Sequence, residues 1–199
     1  MSAPAFQSAL ARLIIDPDFR DDVRARRAVA LAGDLTALER ERLLAVSVDP
    51  GLDITRTLHK GFRLGKLLAQ LPLTRVLLDR DTLAREVGEF WRRRPPVSFY
   101  FLEEALAFCA YLLERVRAGE LEVRYLEEIA AYEQAALELM RARPDGSAPP
   151  PQAVEFRHDP LPLIAALAHG EVPADAAEHR CRLLGTRNDG RLEWYLTST

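Results

Sequence analysis

Two cysteines, Cys109 and Cys181, are all the chain has in 199 residues. Two thiols make no disulfide framework in a chain of this size, so a reducing compartment is the default expectation. No apolar run approaches the roughly 20 residues that a membrane-spanning helix needs. The opening MSAPAFQSALARLIIDPDFR lacks a basic start followed by an apolar stretch, so it does not read as a secretory signal. These absences lead to the expectation of a cytoplasmic protein with no membrane partner.

Catalytic signatures are missing as well. There is no Gly-rich phosphate loop, no Gly-x-Ser-x-Gly, no His-Glu-x-x-His and no Cys-x-x-Cys. The histidines are His59, His158, His169 and His179. His158 with Asp159, His179 and Cys181 is the one combination with metal-ligating chemistry, but its spacing matches no ligand pattern. The adjacent pairs Glu103-Glu104 and Glu127-Glu128 split across two helix faces and read as solvated. An iron site in a helical bundle needs inward Glu-x-x-His motifs, which this sequence does not contain. No catalytic residue and no metal ligand is therefore expected in this chain.

Lysine is nearly absent too: of 27 basic residues only Lys60 and Lys66 are lysines. The formal net charge is −3 and the pI about 5.9, so overall charge does not favour nucleic acid. What remains is ordinary globular material, 48% hydrophobic and 29% charged, enough to bury a core.

Helical periodicity dominates up to residue 143. PAFQSALARLII places Phe6, Leu10, Leu13 and Ile14 at helical spacing. Asp16-Pro17 stops that helix and suits the cap and first position of the next, DPDFRDDVRARRAVAL, which Gly33-Asp34 breaks. Thr36 with Glu39 is a capping box. Asp49-Pro50-Gly51 reads as a turn.

The longest run, GLDITRTLHKGFRLGKLLAQL, sets Leu58, Phe62, Leu68 and Leu71 on one apolar face, widened by Leu64 and Leu67. Arg56, His59, Lys60, Arg63 and Lys66 form a basic stripe. Such a stripe is either a solvated face or a docking surface for an acidic partner. Pro72 ends the run. LTRVLLDRDTLAREVGEFWRRR gives two short helices, the second starting near Asp81 or Thr82. WRRRPP is a second basic spot, and RRRPPVS a break. FYFLEEALAFCAYLLERVRAG ends at Gly119. VRYLEEIAAYEQAALELMRAR is the last long helix, with Tyr125, Ile129, Tyr132, Ala136 and Leu139 or Met140 inside.

Composition then shifts. PDGSAPPPQ, residues 144–152, is Pro-rich and reads as a linker. AVEFRHD is a strand, PLPLIAALAHG a short helix, and RCRLLGTRNDGRLEWYLTST a β-hairpin. A two-residue Asp189-Gly190 turn of type I′ pairs Asn188 with Arg191, Leu183 with Leu196 and Gly185 with Trp194. One face then carries Cys181, Leu183, Leu192, Trp194 and Leu196, with Trp194 over Gly185. The other carries Arg182, Leu184, Thr186, Glu193, Tyr195 and Thr197. The expected fold is α+β: a helical bundle over 1–143, a linker over 144–152, and a small region over 153–199. That region holds a three-stranded antiparallel sheet with one short helix. Three strands are near the lower limit for independent stability, so the sheet must pack on helices. It is either a flap completing the core or a platform that takes an extended peptide at a free edge.

Several stretches resemble a known family in order: LARLIIDPDFRDDV, DLTALERERLLAV, GLDITRTLHKGFRLGKLLAQLPLTRVLL, EEALAFCAYLL, YLEEIAAYEQAAL and FRHDPLPLIAALAHG. The family is that of the partner subunits of multinuclear non-haem iron oxidative enzymes, which modify ribosomally made peptides as in methanobactin and thiaglutamate biosynthesis. The resemblance spans roughly Phe6 to Leu196 and lies in helix phasing and turn residues. It implies a non-catalytic subunit that binds the precursor's leader peptide by strand addition and docks on the iron enzyme. The iron would then belong to the partner, a (β/α)-barrel oxidase, with no cofactor in this chain. It carries over no single residue. The candidate peptide-binding residues come from the hairpin register: Leu184, Arg191, Glu193, Tyr195 and Phe156. The candidate partner-docking residues come from the basic stripe: Arg56, His59, Lys60 and Arg63. A related helical family bearing a DNA-binding label shares LPLT and YLEE…YE, so the alternative is a DNA-binding regulator using that stripe. The acidic pI and the lack of a helix-turn-helix pattern oppose it.

Overall fold

A computed structural model of the chain describes residues 3–25, 31, 34–94, 100–143 and 147–197. Outside them fall residues 26–30 and Gly33 of the expected second helix and its break, residues 95–98 of the break RRRPPVS, and residues 144–146 of the expected linker. Among the described residues, helices fill most of the chain and a three-stranded antiparallel sheet closes it, an α+β architecture. The chain divides into two compact units, residues 1–65 with 91–97 and residues 66–90 with 98–199. This differs from the expected division at residues 144–152, because the sheet shares a core with the helices that precede it in sequence.

The first unit holds α1 (Ala3–Ile15), α2 (Pro17–Arg24), α3 (Ala37–Ser47) and most of α4 (Pro50–Gln70). Asp16 caps α2 by accepting the Phe19 N–H at 2.9 Å, with Pro17 in the first turn where no donor is needed. Thr36 and Glu39 form the capping box of α3, at 3.2 and 2.7 Å. Asp49-Pro50-Gly51 starts α4 instead of making a separate turn: the Asp49 carboxylate accepts the Gly51 N–H at 2.6 Å. Pro50 supplies the fixed φ of a first turn. Leu13 and Leu43 are fully buried, packed with Phe19, Val23, Leu31, Leu35 and Leu52.

The second unit holds the end of α4, then α5 (Thr74–Leu77), α6 (Arg80–Arg93, through residue 90), α7 (Phe101–Arg117) and α8 (Leu126–Met140). After these come β1 (Gln152–His158), α9 (Pro160–Ala168), β2 (Glu178–Asn188) and β3 (Arg191–Thr197). Helix α6 starts at Arg80, beside Asp81 and Thr82 as expected, and Asp79 caps it. Its carboxylate accepts both of their backbone N–H groups at 2.9 Å and the Thr82 hydroxyl at 2.7 Å. Gly119 ends α7 with φ 68°, the left-handed conformation a helix C-terminus favours.

Phe90, Phe108 and Tyr111 cluster with ring centroids 5.1 to 6.0 Å apart. Glu86 and Glu133 are buried in this unit. Glu86 accepts from the Tyr111 hydroxyl at 2.9 Å and from Arg115 Nε at 3.2 Å. Glu133 accepts the Leu73 and Thr74 backbone N–H groups at 2.7 and 2.9 Å, tying α8 to the start of α5.

The sheet order is β1-β2-β3, and both neighbours of β2 are antiparallel. Asp189 and Gly190 have φ of 48° and 80°, as a type I′ turn requires. Asn188 pairs with Arg191, Gly185 with Trp194 and Leu183 with Leu196, in the register the two-residue turn predicts. Val154, Phe156, Cys181 and Leu183 form the buried face, which packs on α8. Trp194 lies 4.7 Å from Tyr132 of α8, ring centroid to centroid.

Candidate functional site

The backbone of an antiparallel strand points alternately toward each neighbour, so the register decides which groups an edge presents. The type I′ turn makes Asn188 and Arg191 a hydrogen-bonded pair. Counting back, Thr186, Leu184 and Arg182 also bond to β3, and Gly185, Leu183 and Cys181 face β1. Gln152, Val154 and Phe156 therefore bond to β2, while Ala153, Glu155 and Arg157 direct their N–H and C=O groups to the outer edge. The Arg157 N–H fits this: it donates to the Glu128 carboxylate of α8 at 2.9 Å.

A groove of about 810 Å³ runs along this edge. Its floor includes Ala131 of α8, Phe156 and Cys181. Its rim carries Arg117, Glu127, Glu155, Arg157 and Arg180. Glu127 links Arg117 at 3.3 Å to Arg157 at 3.1 Å. Glu128, 6% exposed, closes one end, with both carboxylate oxygens 3.1 Å from His158 Nδ1 as well as holding the Arg157 N–H. The outward backbone groups of Ala153 and Glu155 lie beside the open part of the groove. An extended peptide laid there would hydrogen-bond to those two residues. Its alternate side chains would point toward Ala131 and Phe156.

The candidate residues from the sequence fall in different places. Leu184 and Tyr195 are cross-strand partners on the outer sheet face, and Glu193 is on the same face. Glu193 accepts the Tyr195 hydroxyl at 2.6 Å and Asn188 Nδ2 at 2.7 Å. Those bonds hold the Glu193 carboxyl below its usual range and push the Tyr195 phenol up. Arg191 is exposed at the turn. Phe156 is 2% exposed on the opposite face, against Tyr132, and is the one of the five that lines the groove. The structure does not bring Phe156 together with the other four.

The basic stripe of α4 is not one exposed face. Arg56 and Arg63 are 6% and 5% exposed, His59 is half-buried and Lys60 exposed. Arg56 donates to the Leu13 carbonyl at 3.2 Å. Leu58 and Phe62, expected inside, are 68% and 55% exposed. The buried positions are Leu52, Arg56, Arg63 and Leu67, a single helical face on which two of the four residues are arginines. Two of the four candidate docking residues are thus withdrawn from the surface.

Sequence reasoning missed Glu127, Glu128, Arg117, Arg157 and Ala131. Glu127-Glu128 was expected on solvated faces, yet Glu128 is buried. Its partners, the Arg157 N–H and His158 Nδ1, come from β1 and not from the α8 terminus, so no signal within the helix points to it. Among the described residues, no group of three or more His, Cys, Asp or Glu is arranged to hold a metal ion. Cys181 is buried, and burial pushes its thiol up. Among those residues no helix is long and apolar enough to cross a membrane. Comparison of the chain with models of known protein families finds none that matches, and comparison with curated proteins finds no match.

Proposed function

We propose that this chain is a non-catalytic recognition subunit that captures an extended peptide by strand addition at the outer edge of β1. The observation that carries the reading is the β1 edge, beside which no strand lies among the described residues. Ala153 and Glu155 present outward backbone donors and acceptors beside a groove of about 810 Å³, and Glu128 fixes where that open stretch ends. Backbone pairing supplies affinity that depends little on sequence, and the groove floor adds selectivity. The resemblance of the sequence motifs supports a more specific form of the proposal. The peptide is the leader of a ribosomal precursor, and the subunit presents it to an iron-dependent (β/α)-barrel oxidase.

The test is a calorimetric titration of the purified chain with a co-encoded precursor peptide, repeated on Ala153→Pro. Proline at 153 removes an outward N–H and leaves the β1–β2 ladder intact, because Ala153 does not bond to β2. The expected result is binding by the parent chain that weakens at least about tenfold in the variant. Absence of binding, or equal binding by both chains with unchanged circular dichroism, would defeat the proposal.

A further inference from the structure

The sheet has a second edge, and it differs from the first. Along β3 the backbone groups that point away from β2 belong to Leu192, Trp194 and Leu196. Their side chains lie on the inner sheet face, where Leu192 and Trp194 are half-buried and Leu196 is 49% exposed. The β1 edge carries Glu155 and Arg157 and is closed at one end by Glu128. The β3 edge carries Arg191 and Glu193 on the outer face and, among the described residues, has no strand beside it. Its outward backbone groups belong to three apolar residues, and an edge that presents unpaired backbone groups is a template for pairing with another chain.

We infer that the β3 edge is a self-association surface, whose occupant is β3 of a second copy of this chain, antiparallel about a two-fold axis at Trp194. The register follows from the residues. A two-fold axis at Trp194 sets Leu192 opposite the second copy's Leu196, and Trp194 opposite Trp194. All three outward-facing residues on each strand then become hydrogen-bonded pairs, about six bonds in all. The interface is isologous, so each contact occurs twice. Glu193 falls opposite Tyr195, repeating between copies the hydroxyl-to-carboxylate contact already made within the strand at 2.6 Å. Arg191 falls opposite Thr197. No like charges fall directly opposite one another.

The neighbouring registers are worse. An axis at Glu193 sets two carboxylates face to face, which is destabilising. An axis at Tyr195 leaves Leu192 beyond the described residues of its partner strand and keeps only the Trp194–Leu196 pairs. The Trp194 register also joins the Leu192, Trp194 and Leu196 side chains of both copies into one apolar strip under the sheet. The two β1 edges remain outermost, so this inference stands or falls independently of peptide capture there.

Sedimentation equilibrium of the full chain from micromolar to near-millimolar concentration tests it, with hydrogen exchange followed at the two extremes. The expected result is a reversible dimer in which the Leu192, Trp194 and Leu196 amides gain protection with concentration. Leu196→Lys puts a charge into the apolar strip and should raise the dimer dissociation constant at least about tenfold. Tyr195→Glu, which faces Glu193 across the axis, should weaken the dimer, and Tyr195→Lys should preserve or strengthen it. Leu196 and Tyr195 are 49% and 50% exposed, so the variants should fold, which circular dichroism checks. The inference is overturned by a chain that stays monomeric, by a dimer indifferent to Leu196→Lys or to the sign of charge at 195, or by β3 amides protected only when a different peptide is added.

Discussion

Gly185 offers a direct test of how the hairpin is packed. A Cβ built at this position would lie 2.5 Å from Trp194 Cζ3, 2.7 Å from Cη2 and 2.8 Å from Cε3. Ordinary carbon contacts are about 3.5–4.0 Å, so the overlap is about 1 Å on three ring atoms. The indole has little room to retreat, because Tyr132 lies 4.7 Å away, centroid to centroid. Gly185→Ala should therefore cost about 1–3 kcal/mol, the usual range for overpacking. The sign should reverse when the indole is gone. Gly185 sits inside β2 without a left-handed φ, so in a Trp194→Ala background the extra methyl should be neutral or stabilise by about 0.5–1 kcal/mol, the ordinary cost of a glycine in a strand. The double-mutant cycle then gives a coupling of about 1–4 kcal/mol. Urea unfolding of the four chains, followed by circular dichroism, measures it. An equal cost of Gly185→Ala in both backgrounds would refute close approach as the reason for glycine here.

Glu133 makes a pH-dependent contribution. Burial pushes its carboxyl above the ordinary carboxylate range, and the bonds from Thr74 and Leu73 only partly oppose that. The native state then holds this proton more tightly than the unfolded chain. Its contribution to stability is full below the ordinary carboxylate value and is lost as pH rises through the raised one. Glu133→Gln should flatten that part of the stability–pH curve, and Glu133→Ala should cost about 1–3 kcal/mol for each backbone donor left unsatisfied, both read by denaturant titration across pH. Thr36→Ala removes the α3 cap and should cost about 1 kcal/mol in the same assay. Cys109 and Cys181 are 0% and 2% exposed with raised thiols, so a disulfide reagent should titrate neither until the chain is denatured.

Where local chemistry decides structure, the sequence is a good guide. Asp16-Pro17, the Thr36–Glu39 box and Gly119 each act through bonds or backbone angles within a few residues, and each falls where its residue types indicate. The hairpin register belongs to the same class, because the Asp189-Gly190 turn fixes every pairing behind it. The candidate site is legible only in part. An open three-stranded sheet follows from the hairpin and AVEFRHD, but the groove is a relation between β1 and α8, whose facing residues lie more than twenty positions apart. Glu128 meets the Arg157 N–H across 29 positions, and no spacing rule within a helix or strand anticipates that pair.

Helix α4 shows why charge patterning alone cannot identify a docking face. Both of its faces are amphipathic candidates: one carries Leu52, Arg56, Arg63 and Leu67, the other Ile54, Leu58 and Phe62. An apolar count favours burying the second, and the protein buries the first. An arginine can be inside when its stem covers apolar surface and its head finds a carbonyl, as Arg56 finds Leu13. A leucine or phenylalanine at the surface costs little when most of a folded protein's accessible area is apolar anyway. The buried face thus includes a guanidinium whose acceptor lies 43 residues away, a contact that the helix's own pattern does not show. The same logic ranks the sheet edges. Charges along β1 do not by themselves close it, since Glu155 leaves its backbone available. What limits that edge is one buried carboxylate from another element, and what leaves β3 open is the lack of any counterpart among the described residues.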